Sequence, residues 1–174
     1  DLLVAHAAWP QLAEHLEQAA EGLLAAGRAG ALLHHLDSLP STLRDSRPLL
    51  RYARGLCLLP GDPAAARREL EAAYAAVRAS ADGPTVVRAW CALVDAIWFE
   101  WEDCTRLDPY IDDLLELAAL PDLGEAERAL LGRGALAALS IRRADHPDFA
   151  VWEERAFALF QRRQSAQQAQ FGAL

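Results

Sequence analysis

The chain has 174 residues, 53% of them hydrophobic, with a formal net charge of −8 and a pI near 5.1. One ordinary domain's length with that apolar share excludes an extended disordered chain, and the acidic balance argues against a surface built to neutralise nucleic-acid phosphates. All 17 basic residues are Arg; with no Lys there is no P-loop lysine, no Schiff-base lysine and no kinase-type lysine.

The apolar residues are mostly Ala and Leu, which favours helix over strand. Leu2 to Ala8 has the pattern of a helix tail. Trp9-Pro10 opens a new helix, with Pro at the tolerated first position. Leu12, Leu16, Ala19, Ala20, Leu23 and Leu24 then mark one face up to the stop at Gly27. A short helix follows from about Ala29 to Asp37, closed by Leu39-Pro40. Ser46-Arg47-Pro48 signals the next start, with Ser46 as the expected N-cap. Pro60-Gly61-Asp62-Pro63 is a tight turn in which Asp62 caps a helix running to about Ala79.

After Asp82-Gly83-Pro84, a helix is expected from about Thr85 to Trp101, carrying Val86, Trp90, Leu93, Val94, Ile97 and Trp98. Its expected partner is one helix over residues 103–120, with Pro109 in the first turn. Gly124 to Arg142 is a long helix, Asp145-His146-Pro147-Asp148 a turn, and Phe149 to about Gln164 the last helix. Residues 161–174 are either a frayed end or the start of a truncated hairpin. No window alternates with period two, so no strand is expected. About eight helices with short links give antiparallel neighbours.

The hairpins repeat. Aligning Gly61 with Glu102 brings Cys57 onto Trp98, Ala66 onto Leu107, Leu70 onto Ile111 and Ala73 onto Leu114, a spacing of 41 residues. A third unit near Ala137, Asp145 and Ala156 follows at about the same interval. Two helices per repeat of near forty residues point to an all-α solenoid in which each hairpin covers its apolar face with the next. The whole of 1–174 is expected to form one such domain. It starts at Asp1 without Met, as a piece of a longer protein would. The absence of Lys, Asn and Met, whose codons are AT-rich, suggests a GC-rich bacterial source.

Trp9 to Ala73 reads W-x2-L-A-x2-L-E-x2-A-x2-L-L-x2-G-R, then L-L-x2-L-x2-L-P, R-P-L-L and G-D-x3-A. This resembles the tetratricopeptide-like region of MalT-like and large LuxR-type bacterial transcription regulators. The second half, with Asp145-His146-Pro147-Asp148 and Trp152, resembles them too. The resemblance implies a right-handed superhelix between a nucleotide-binding module and an output domain. Its expected role is a cytoplasmic interaction or sensor arm that binds a protein or an inducer. The matching motifs are structural and carry no functional residues across. No ATPase motif and no helix-turn-helix lies in this chain, so a transcriptional role would belong to other parts of a longer protein.

The candidate interaction surface has two sources. Trp90, Trp98 and Trp101 fall within about 60–80° of a common direction on a continuous helix, near Tyr110, and could line a groove; inter-hairpin core is the competing assignment. Between Asp95 and Glu127 lie eleven acids and one base, Arg106. Glu100, Glu102, Asp103, Asp108 and Asp112 would there receive a basic partner segment, the competing assignment being a solvated face. A groove that closes over a small inducer, floored by Trp90, Trp98 or Tyr110, is the second hypothesis, and an accessory repeat domain linked to a nucleotide cyclase the third.

No catalytic, cofactor or metal site is expected. His34-His35 diverge by about 100° on a helix, the other histidines are scattered, and no G-x-S-x-G or glycine-rich phosphate loop occurs. Cys57, Cys91 and Cys104 form no CxxC pair and suit buried free thiols. No stretch reaches the about 18 apolar residues of a membrane span.

Overall fold

A computed structural model of the chain describes residues 8–79 and 82–157. The expected helix tail at Leu2 and the segment 158–174 lie outside the described residues. Within them the fold is all-α. Helix α1 spans Trp9–Ala25, α2 Ala29–Ser38, α3 Ser41–Asp45, α4 Pro48–Leu58, α5 Pro63–Val77 and α6 Gly83–Glu100. A 3-10 turn, Cys104–Leu107, leads into α7 (Asp108–Asp112) and α8 (Leu114–Ala118). Helix α9 is Glu125–Arg142, and residues 149–157 form α10.

The punctuation works as the local chemistry dictates. Gly27 takes φ +70°; the Arg28 amide donates to the Leu23 carbonyl (2.8 Å) and the Gly27 amide to Leu24 (3.0 Å), which together close α1. The Asp62 carboxylate accepts from the Ala65 amide at 2.9 Å, capping α5 ahead of Pro63. The turn before α10 is closed by His146, whose Nδ1 accepts from the Asp148 amide.

Three expectations change. Ser46 does not cap α4: its hydroxyl donates to the Leu43 carbonyl (2.8 Å), in the unforeseen short helix α3. Arg47, held extended at φ −117° by the following Pro48, takes the capping position instead. The single helix expected over 103–120 is a 3-10 turn and two short helices. Pro109 has no amide hydrogen to give the preceding turn, so the chain enters through a 3-10 turn capped by Asp103. Asp113, a weak helix former, interrupts the remainder, its carboxylate drawn aside by the Tyr74 hydroxyl (2.8 Å) and Arg78 (2.7 Å). Finally, α6 stops at Glu100, and Trp101 leaves it with φ 54°.

Two apolar clusters hold the helices together. The first joins Ala13, Leu16, Leu32, Leu36 and Leu50 of α1, α2 and α4. The second centres on α6, with Leu70, Val87, Trp90, Leu93, Ile97, Leu107, Ile111 and Leu139 all buried. Close approach needs small residues. A Cβ on Gly55 would meet Leu70 Cγ at 2.5 Å, and one on Gly134 would meet Trp90 Cζ3 at 2.8 Å; α4 against α5 and α6 against α9 are packed backbone to side chain. Five side-chain links share nearly one offset, while others, such as Arg67 to Glu100 (33 apart) and Arg142 to Asp108 (34 apart), do not. Tyr74 to Asp113, Arg88 to Glu127 and the Cys91 thiol to the Leu130 carbonyl each join residues 39 apart. Arg78 to Glu116 and Arg133 to Asp95 join residues 38 apart.

Candidate functional site

Helices α1, α4, α6 and α9 each lead a helical pair, and together they border two hollows that share Glu21 and Arg88. The larger, about 690 Å³, lies over α6 and α9 and is lined by Trp98, Leu130, Arg133, Leu136 and Ala137, with Ala156 at its far side. The smaller, about 460 Å³, lies over α1 and α4 and is lined by Leu24, Leu49, Tyr52 and Leu56. Both are open to solvent and mainly apolar.

The charges inside are largely committed to one another. Arg88 donates to Glu127 at 2.8 Å, and Arg133 grips Asp95 with two bonds of 2.8 Å. The Arg88 guanidinium holds the Glu127 carboxyl below the usual range. Burial pushes the Tyr52 phenol up to about 12. Glu21, where the hollows join, is exposed and makes no ion pair among the described residues.

At the end of α6 the aromatic residues come to the surface. Trp98, Phe99 and Trp101 are 37%, 59% and 73% exposed. Trp98 and Phe99 stack with centroids 5.7 Å apart. The Trp101 amide donates to the Trp98 carbonyl at 3.2 Å across the left-handed bend. Glu102 and Asp103 follow, both exposed. The Asp103 carboxylate accepts from the Thr105 hydroxyl and amide, which hold it below its ordinary pKa.

The sequence-based candidate surface therefore divides. Trp98, Trp101, Glu102 and Asp103 are together at this tip. The other five are buried, half-buried or paired, Glu100 at the same helix end among them. Trp90 is fully buried, its indole N–H donating to the Tyr110 carbonyl at 3.0 Å. The half-buried Tyr110 ring meets Tyr74 edge-on. Glu100 is clasped by Arg67, Asp108 by Arg142 through two bonds, and Asp112 by Arg143 at 3.7 Å. Trp90 and Trp101 do not share a face because the chain changes hand at residue 101. The acidic stretch is not a free acidic face either: seven of its eleven acids sit against an arginine, and each of the seven uses one from a different part of the fold, on or just past another helix.

Of the hollow's lining, sequence reasoning named only Trp98. A signal existed: before Glu100 at its end, α6 carries charge only at Arg88 and Asp95, seven residues and two turns apart, with Trp98 one turn further. A burial-driven helix carrying charges in one stripe has one face that is not core.

Among the described residues no three His, Cys, Asp or Glu side chains converge as a metal requires, and no helix is long and apolar enough to cross a membrane. Burial raises the Cys91 thiol well above its ordinary value, so it is held as the neutral form. No family model, curated protein or solved structure matches this chain.

Proposed function

We propose that this chain is a protein-interaction and regulatory domain, a tetratricopeptide-like stack whose hollow seats a segment of another protein or of the longer protein it belongs to. The observation that carries this is the open, mainly apolar hollow of about 690 Å³ over α6 and α9, which shares Glu21 and Arg88 with the second over α1 and α4. An open hollow lined by Ala129, Leu130, Leu136 and Ala137 suits an amphipathic helix presenting bulky apolar side chains. The offset of 38 to 39 residues shared by five of the side-chain links supports a stack of two-helix units. A cytoplasmic bacterial signalling or transcription-regulator protein is the setting that the sequence resemblance favours. A non-catalytic role is favoured because Arg88, Glu127, Asp95 and Arg133 are used up in mutual pairs rather than held ready for a substrate.

The second reading is an inducer sensor, favoured by the 460 Å³ hollow, whose volume suits a small molecule. Peptide display against the purified chain separates the two. Amphipathic peptides should be enriched, and their binding should be lost in Ala137→Arg and in Ser140→Arg, which fill the larger hollow. If no peptide is enriched while a metabolite raises the melting temperature, the sensor reading replaces the docking one.

A further inference from the structure

We infer that the aromatic tip at the end of α6 is a docking point for a basic protein segment, an arginine- or lysine-bearing peptide laid across Trp101 against Glu102 and Asp103. This rests on the reading of the chain as an interaction domain, but not on the hollow. Trp98, Phe99 and Trp101 occupy three of four successive positions and are exposed, immediately after Val94, Ala96 and Ile97, which are buried. The side chains that end α6 thus add aromatic surface to water rather than to the core.

Trp101 sharpens the point. Its φ of 54° places a bulky residue in the left-handed region, where glycine is the usual helix terminator. It is also 73% exposed, so packing does little to repay that backbone conformation. A residue that suits neither the backbone nor the core at its position is suited to contact with something else.

The chemistry of that contact is set by charge. Glu102 and Asp103 make no ion pair among the described residues, although Arg106 and Arg142 lie close enough to Asp103 to favour its charged form. Neighbouring Glu100, by contrast, is neutralised by Arg67. The C-terminus of an 18-residue helix adds partial negative charge at the same end. Exposed indole faces, unpaired carboxylates and a helix C-terminus all favour a cation, and a guanidinium combines stacking on an indole with bidentate bonding to a carboxylate.

The test uses a hexa-arginine peptide and its uncharged citrulline counterpart, titrated into the whole chain with tryptophan emission and calorimetry as readouts. Hexa-arginine should bind at least about tenfold more tightly than the citrulline peptide. Trp101→Gly and Trp101→Asn, which both tolerate the left-handed bend, should each weaken that binding about tenfold while leaving the melting temperature unchanged or raised. Glu102→Gln should weaken it severalfold and flatten its salt dependence. Ser140→Arg in the hollow should leave it unchanged, so the tip and the hollow fail or survive separately. Equal binding by the citrulline peptide, or wild-type affinity in both Trp101 variants, would overturn the assignment. So would a fall in melting temperature in both, because Trp101 would then be serving the fold.

Discussion

The middle of α6 and its last turn use the same residue type in opposite ways. Trp90 is fully buried, satisfied by the Tyr110 carbonyl and packed against Gly134 of α9, where a single Cβ would already be too much. Trp98 and Trp101, on the same helix and just past its end, stand in water. The difference lies in what surrounds them. Around residue 90, α9 and the 103–118 segment close over α6 on two sides. At residue 98 the helix borders a hollow, and at 101 the chain bends away. A tryptophan count or a helical wheel does not separate these fates; the positions of Gly134 and the left-handed bend do.

The largest effect should come from Trp90→Ala. Removing a fully enclosed indole and its hydrogen bond should destabilise the chain by about 4 kcal/mol, readable by urea denaturation. A stability loss below about 1 kcal/mol would erase the contrast with the tip. Next is Glu100→Ala, which leaves the buried Arg67 with Glu71 alone. Loss of a charge-assisted bond at this site should cost about 2 kcal/mol. Of the acids expected to form an acidic face, Glu100 should be the most sensitive to this change, because its pair with Arg67 is buried, those of Asp108 and Asp112 are more exposed, and Glu102→Ala removes no ion pair.

Smaller effects sharpen the other side. Trp101→Gly should be neutral or stabilising by up to about 1 kcal/mol, since relief of the left-handed strain is partly offset by the greater freedom of glycine in the unfolded chain. Phe99→Ser should change stability by less than about 0.5 kcal/mol. The pH dependence follows from the shifted groups. Asp103, Asp108 and Glu127 have lowered pKa values in the fold. Their contribution is present above the ordinary carboxylate range and is lost as pH falls through the folded values, so the melting temperature should drop on the acid side of about pH 4. Tyr52 and Tyr74 are raised by burial, Tyr52 to about 12. Their contribution is complete below about pH 10 and is lost as pH rises toward 12. Glu127→Gln should flatten the acid limb and leave the alkaline one unchanged.

Much of the fold was legible in the sequence because helix punctuation is local chemistry. Gly27 and the Pro63 start act through their own backbones and Asp62 through a carboxylate three residues from its partner amide, so their structural roles match their residue types. The errors arose where a distant partner decides. Asp113 reads as one more helical acid until Tyr74 and Arg78, more than thirty residues away, draw it aside. The run of acids from Asp95 reads as a charged face until arginines from α5, α6 and α9 are seen to reach it. The candidate surface was half visible for the same reason. Exposure at Trp98, Trp101, Glu102 and Asp103 follows from the helix end, whereas the burial of Trp90 and Glu100 depends on Gly134 and Arg67, which no short window contains. The hollow itself is a relation among four helices. Only the Arg88 and Asp95 stripe hints at it within one.

The most direct test of the docking account is amide hydrogen exchange on the whole chain with and without a display-selected peptide. The account predicts added protection in α9 over residues 126–140 and in α6 around Trp98, with α2 and α5 unchanged. Protection confined to α2 and α5, or none at any concentration that saturates binding, would contradict it.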